Sequence, residues 1–324
     1  MTIHPEVLSD VFSVFEYLMK QGWQGIPFHT PAQFSAMTLC GNRMAATPMP
    51  MQPLWRGENE YHEKCMPSLY RRKWSSLEAL ERQVQLEDFR LILKNNPQVQ
   101  EMEKGGLEVN YIGMAQHYGI ETHVLDLTNS FLVSAFFATS TYDSVKDAYF
   151  PILHTISQGV IYFFSLGCMF NFGQAPPIWP IGLEALHRPG EQRGFGIEMT
   201  DQNHDLNNYS GAYMFRFWHN PEASMRIWQI TKGGSTLFPY DPMAEKVRNI
   251  RKYRIYSEEA LRLAYENSEG WDVSLDEVRK ALLDAGCTFV NKIPFAYTVN
   301  ELKYINDQYR KMYPGDFENE DRRN

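Results

Sequence analysis

The chain has 324 residues, 44% of them apolar, and 31 basic side chains stand against 39 acidic ones for a net charge of −8. So large an apolar share excludes wholesale disorder and supplies the core of one large domain with attachments, or of two ordinary domains. The acidic total lacks the electrostatic footprint of a nucleic-acid binder, so no nucleic-acid partner is expected.

The strongest local basic run is Tyr70-Arg71-Arg72-Lys73-Trp74, which a solvated approach to a helix explains equally well. Cys40, Cys65, Cys168 and Cys287 lie far apart with no Cys-x-x-Cys pair, which excludes a zinc ribbon or a redox motif and fits reduced thiols in a cytoplasmic protein. The N-terminus has no basic region followed by an apolar run. The longest apolar stretches, Phe131–Ala138 and Val160–Phe170, fall short of the ~20 residues a spanning helix needs, so no membrane partner is expected. The 20 Phe, 18 Tyr and 7 Trp predict a core of large rings, some of which can line a ligand pocket.

In chain order, Val7, Leu8, Val11, Phe12, Phe15 and Leu18 recur at helical spacing and predict an amphipathic helix over 6–19. The prolines of Thr47–Pro53 deny a helix and deliver an extended chain to Leu54-Trp55-Arg56-Gly57, read as a short strand ending at the glycine. Ser75 and Glu78 form a capping box before a helix over 76–93, which Asn95-Asn96-Pro97 ends. Val109, Ile112, Ala115 and Gln116 predict a helix closing at Gly119, and Thr128 or Asn129 is expected to cap another over 131–139. The run Gly159–Phe164 reads as a strand buried on both faces. Loops dominate 171–221, with strands near 194–199 and 212–218, and Arg226–Ile230 is expected as a further strand. The last third turns helical: Ser257 caps a helix to about Glu266, Ser274 and Glu277 box a second that Gly286 stops, and Thr298 and Glu301 box a third that Pro314 ends. The tail, Asp316–Asn324, is nearly all charged or polar.

No P-loop, G-x-G-x-x-G, His-Glu-x-x-His or G-x-S-x-G occurs, which argues against the usual kinase, Rossmann, zincin and α/β-hydrolase readings. Three segments together resemble the FRG domain family, named for its aromatic-Arg-Gly motif. The first is Trp55-Arg56-Gly57 with Pro67-Ser68-Leu69-Tyr70-Arg71. The second and most specific is Ala115-Gln116-His117-Tyr118-Gly119-Ile120-Glu121-Thr122, running on through Leu125-Asp126-Leu127-Thr128-Asn129 to Ala135-Phe136-Phe137-Ala138. The third is Arg188 with Gln192-Arg193-Gly194-Phe195. Trp55, His123 and Leu127 depart from the family's usual Phe or Tyr, Arg and Trp, and the second departure removes a permanent cation.

The resemblance implies an α/β (α+β) domain with a central mixed sheet and flanking helices over 46–240. An N-terminal helix and connection over 1–45 precede it, and a helical region with a charged tail over 241–324 follows. Arg56 presents a planar fork for phosphate or carboxylate, or else pairs with Asp126 to hold two segments together. Gly57 lets a ligand or another backbone come close. His117 and Tyr118 can bond a sugar hydroxyl or stack on a flat ring, or else close a helix with the Tyr in the core. Thr128 caps, while Asp126 caps or orients Arg56 or His117. His117, His123 and Asp126 fit no common metal spacing, so no metal is expected. A second, looser similarity runs to ADP-ribosyltransferases. It implies that Arg56 holds an NAD pyrophosphate, that Tyr118 or a Phe stacks on nicotinamide, and that Glu191 or Gln192 completes the site with His117. Other readings are a non-catalytic module for a nucleotide-like or protein partner, and a hydrolase or nuclease using His117 and Asp126. Arg56, His117, Tyr118, Asp126 and Gln192 are expected to line one cleft.

Overall fold

The computed structural model describes residues 2–4, 6–23, 28–29, 34–39, 43–48, 53–164, 178–181, 186–199, 205–208, 212–268 and 272–312. After β1 (Thr2–Ile3), α1 (Val11–Lys20) starts where Asp10 accepts the Ser13 N–H. This is later than the expected residue 6, because Leu8 is still extended and bridges Phe217. β2 (Phe34–Leu39) and β3 (Arg43–Pro48) pair, and β4 (Leu54–Glu58) carries the Trp-Arg-Gly strand one residue past the glycine. α2 (Ser76–Leu93) opens on the expected capping box, Ser75 accepting the Glu78 N–H and the Glu78 carboxylate accepting the Ser75 N–H. Asn96-Pro97 both ends that run and starts α3 (Pro97–Lys104), a helix not foreseen.

α4 (Tyr111–His117) closes at Gly119, whose φ of +86° suits a residue without Cβ. β5 (Val124–Thr128) leads to α5 (Phe131–Thr139), whose cap is Ser130 rather than Thr128 or Asn129. Thr128 is still in the strand, and the Ser130 hydroxyl accepts the Val133 N–H. There follow β6 (Ser140–Asp143), β7 (Ala148–Pro151), β8 (Gln158–Phe164), β9 (Ile178–Pro180), α6 (His187–Glu191), β10 (Gly194–Glu198) and β11 (Ala212–Trp218). The strand expected at Arg226–Ile230 is instead the end of α7 (Pro221–Ile230). Asn220 accepts the Ala223 N–H and Pro221 opens the first turn, a start signal that outweighs a short β-favouring run. α8 (Pro242–Tyr253), β12 (Ile255–Ser257), α9 (Glu258–Glu266), α10 (Leu275–Asp284), β13 (Thr288–Val290) and α11 (Val299–Met312) complete the chain. The expected caps at Ser257, Ser274 and Thr298 are made, while Pro314 and the charged tail lie outside the described residues.

The chain forms two compact units: Met1–Thr38 with Ala45–Arg71 and His123–Tyr240, and Leu39–Met44 with Arg72–Thr122 and Asp241–Asn324. In the first, a seven-stranded sheet runs β1-β11-β8-β4-β5-β10-β9. β4 is antiparallel to both neighbours and β1 is parallel to β11, so the sheet is mixed and the α/β expectation holds. One face buries Trp55, Phe131, Phe136, Phe163 and Phe217 under α5, with Val11, Val14 and Leu18 of α1. The other buries Leu54, Tyr162, Phe164, Phe195 and Met214. Residues 159–164 are buried on both sides, as expected of a central strand.

In the second unit α2 buries Leu80, Val84 and Phe89. Asp88 ties α2 to the start of α9 by accepting the Ser257 N–H and hydroxyl at 2.9 and 2.6 Å. Lys246 of α8 pairs with Glu301 of α11 at 2.8 Å. Among the described residues no helix is long and apolar enough to cross a membrane.

Candidate functional site

Alternation along β4 sends Trp55 and Gly57 toward α5, and Leu54, Arg56 and Glu58 to the opposite face. Two charged residues at i and i+2 therefore share a side, and they bond. Arg56 Nε and Nη2 donate to Glu58 Oε1 at 2.9 and 2.6 Å, and Nη1 donates to the Asp126 carbonyl at 2.8 Å. The Cys65 thiol donates to the same Oε1 at 3.4 Å. Oε2 takes no hydrogen bond among the described residues, and both side chains are 13% exposed, so the pair opens narrowly to solvent.

Burial alone would push the Glu58 carboxyl up, but Arg56, with help from Arg71, holds it below the ordinary carboxylate value. Burial likewise works against the Arg56 charge, and Glu58, with smaller contributions from Cys65 and Asp126, more than offsets it. Burial pushes the Cys65 thiol up to about 12, which leaves it protonated and unreactive at neutral pH. Asp205 accepts the Cys65 N–H, and Tyr162, opposite Arg56 in the sheet, donates its hydroxyl to Asn207 at 3.2 Å.

No other candidate side chain hydrogen-bonds to this pair among the described residues. Trp55 pairs with Thr128 across β4 and β5, so the Asp126 side chain leaves on the Trp55 face, opposite to Arg56. The expected Arg56–Asp126 ion pair is replaced by a bond to the Asp126 backbone, and Glu58 takes the carboxylate role. The Thr128 hydroxyl donates to the Gln192 carbonyl at 2.8 Å. Gln192 is buried just past α6 and gives Nε2 to the Leu237 carbonyl at 3.0 Å, while Glu191, the last residue of α6, is half-buried. At Gly57 it is another backbone that comes close: a Cβ there would stand 1.8 Å from the Ser134 carbonyl oxygen of α5. His117 and Tyr118 belong to the second unit. There the Tyr118 ring is buried against Phe89 and its hydroxyl donates to Asp241 at 2.5 Å, while His117 ends α4, also buried.

Sequence reasoning missed Glu58 and Arg71 as members of the cluster. The signal for Glu58 was present, since a carboxylate two residues along a strand from an arginine must share its face. Among the described residues no group of three His, Cys, Asp or Glu side chains is gathered as for a metal ion.

No curated protein and no solved structure matches the chain. A family model does: the FRG domain, over residues 52–147. The matched stretch takes in β4 with its Arg56–Glu58 pair, the Pro67–Arg71 segment and the Ala115–Ala138 segment, and it stops before Arg188–Phe195. Arg56, Glu58, Cys65 and Arg71 therefore lie within the stretch, residues 52–147, that matches the FRG domain, whereas Tyr162 and Asp205 lie beyond it.

Proposed function

We propose that the FRG domain binds an anionic, nucleotide-like ligand against the Arg56–Glu58 face of the first unit's sheet, with NAD the first ligand to test and transfer of ADP-ribose the reaction. The observation that carries this reading is the ionised, narrowly open Arg56–Glu58 pair, with Arg71 acting on the same carboxylate. A buried ion pair is an expensive way to build a sheet face, and two guanidiniums against one carboxylate leave positive charge for an anion. Three of the five Arg56 N–H groups are already taken, so the remaining Nη1 and Nη2 hydrogens would meet the pyrophosphate.

Glu58 takes the place assigned in the sequence reading to Glu191 or Gln192. Its free Oε2 would stabilise the cationic ribose as the C1′–N bond breaks and nicotinamide leaves with the electron pair. An acceptor hydroxyl or water then forms the new C1′–O bond and loses its proton. The second reading is a non-catalytic binding module. It is favoured by the Nη1 bond to the Asp126 carbonyl, which also suits an arginine that holds β4 to β5.

Incubation with NAD, with released nicotinamide measured by chromatography, separates the two. Transfer predicts release that falls on the order of 100-fold in Glu58→Gln while NAD still raises the melting temperature. Stabilisation by NAD or ADP-ribose without release identifies the binding module. A melting temperature that neither compound moves overturns both readings.

A further inference from the structure

The second unit holds a cleft of about 330 Å³ bounded by the first half of α2, the turn after α4 and the end of α8, and four guanidiniums and three carboxylates line it. The carboxylates are largely engaged. Glu78 caps α2 and accepts from Arg72 at 2.8 Å, and Glu81 accepts from Arg254 at 2.8 and 2.6 Å and from the Tyr256 hydroxyl at 2.7 Å. Arg82 gives Nη1 to the backbone carbonyl of Glu121 at 3.1 Å. Arg251 is different: among the described residues it has neither an ion pair nor a hydrogen bond. Its Nη1 lies over Gly119, where a Cβ would stand only 3.2 Å away. Arg72 stacks on the Trp74 ring at 3.5 Å, which places a cation and a flat apolar surface together on one wall. Arg254 sits at φ +51° and is pinned by Glu81 and by the Ala285 carbonyl, so its fork is fixed before any ligand arrives.

We propose that this cleft binds a small organic phosphate, with the phosphate against Arg251 and Arg72 and a flat base on the Trp74 stack. Free guanidinium beside preorganised guanidinium is the chemistry of phosphate recognition. The volume lies at the lower end of the roughly 300–1,000 Å³ of ligand sites, which takes a mononucleotide and not a dinucleotide. The site is separate from the one built on Arg56. It draws one wall from the stretch that matches the FRG domain (Arg72, Trp74, Glu121) and its free cation from α8, outside that stretch. This gives the helical C-terminal region a ligand-binding role.

Calorimetric titration of the full chain with AMP, adenosine and inorganic phosphate tests the proposal. AMP should bind, adenosine should bind at least tenfold more weakly, and inorganic phosphate should compete with AMP. Arg251→Ala should weaken AMP binding at least tenfold and Arg251→Glu should abolish it. Arg251 is exposed, so both of its variants should fold, which the melting temperature verifies. Absence of AMP binding overturns the proposal. So does adenosine binding as tight as AMP, or AMP binding that survives in Arg251→Glu.

Discussion

At the scale of single residues, Gly57 and Asp88 carry the sharpest consequences. A methyl group at Gly57 would meet the Ser134 carbonyl oxygen, a backbone atom that cannot swing aside. Gly57→Ala should therefore cost about 3 kcal/mol or more in urea unfolding, at the upper end for overpacking, and a loss below ~1 kcal/mol would show that α5 can shift. Burial pushes the Asp88 carboxyl up from 3.8 to about 6, against the pull of the two Ser257 hydrogen bonds. The folded state then holds this proton more tightly than the unfolded chain does. The stability it contributes is complete below pH 3.8 and is lost as pH rises through about 6. At ~1.4 kcal/mol per pKa unit this amounts to about 3 kcal/mol. Asp88→Asn should flatten the fall in stability between pH 4 and 6, and a slope equal to that of the unaltered chain would assign the fall to other groups. Arg56 was legible from its motif, but its true partner was not. The motif pointed to the carboxylate at Asp126, while the pleat delivered Glu58 to the guanidinium and turned Asp126 away.

At the scale of elements, capping chemistry made the helices readable. Ser75–Glu78, Ser274–Glu277 and Thr298–Glu301 each place a hydroxyl and a carboxylate three residues apart, and each starts a helix where expected. Ser274→Ala should destabilise α10 by about 1 kcal/mol in chemical denaturation, and an effect within ±0.2 kcal/mol would mean that packing alone fixes that end. The failures have equally local causes. Asn96-Pro97 was read only as a stop, although asparagine before proline also opens a helix. Arg226–Ile230 was read by β-propensity, and the start signal at Asn220-Pro221 decided otherwise. β5 went unread as a strand because its five residues lie inside a motif that was read for its chemistry.

For the molecule as a whole, the acidic total hides where the positive charge is kept. The chain carries −8, yet Arg56 with Arg71 in one unit, and Arg72 with Arg251 in the other, stand where an anion can reach them. Composition averages over that pattern and cannot reveal it. The central strands were legible because Val160–Phe164 of β8 is an unbroken apolar and aromatic run and β11 is one broken only by Arg216. The placement of Tyr162 opposite Arg56 depends on the β4–β8 register, which one chain read by itself does not supply. The most direct test is a crystal structure with ADP-ribose bound. The account predicts pyrophosphate oxygens within hydrogen-bond distance of Arg56 Nη1 or Nη2 and the ribose beside Glu58 Oε2. Ligand density away from this face, with Arg56 still bonded only to Glu58 and the Asp126 carbonyl, would contradict it.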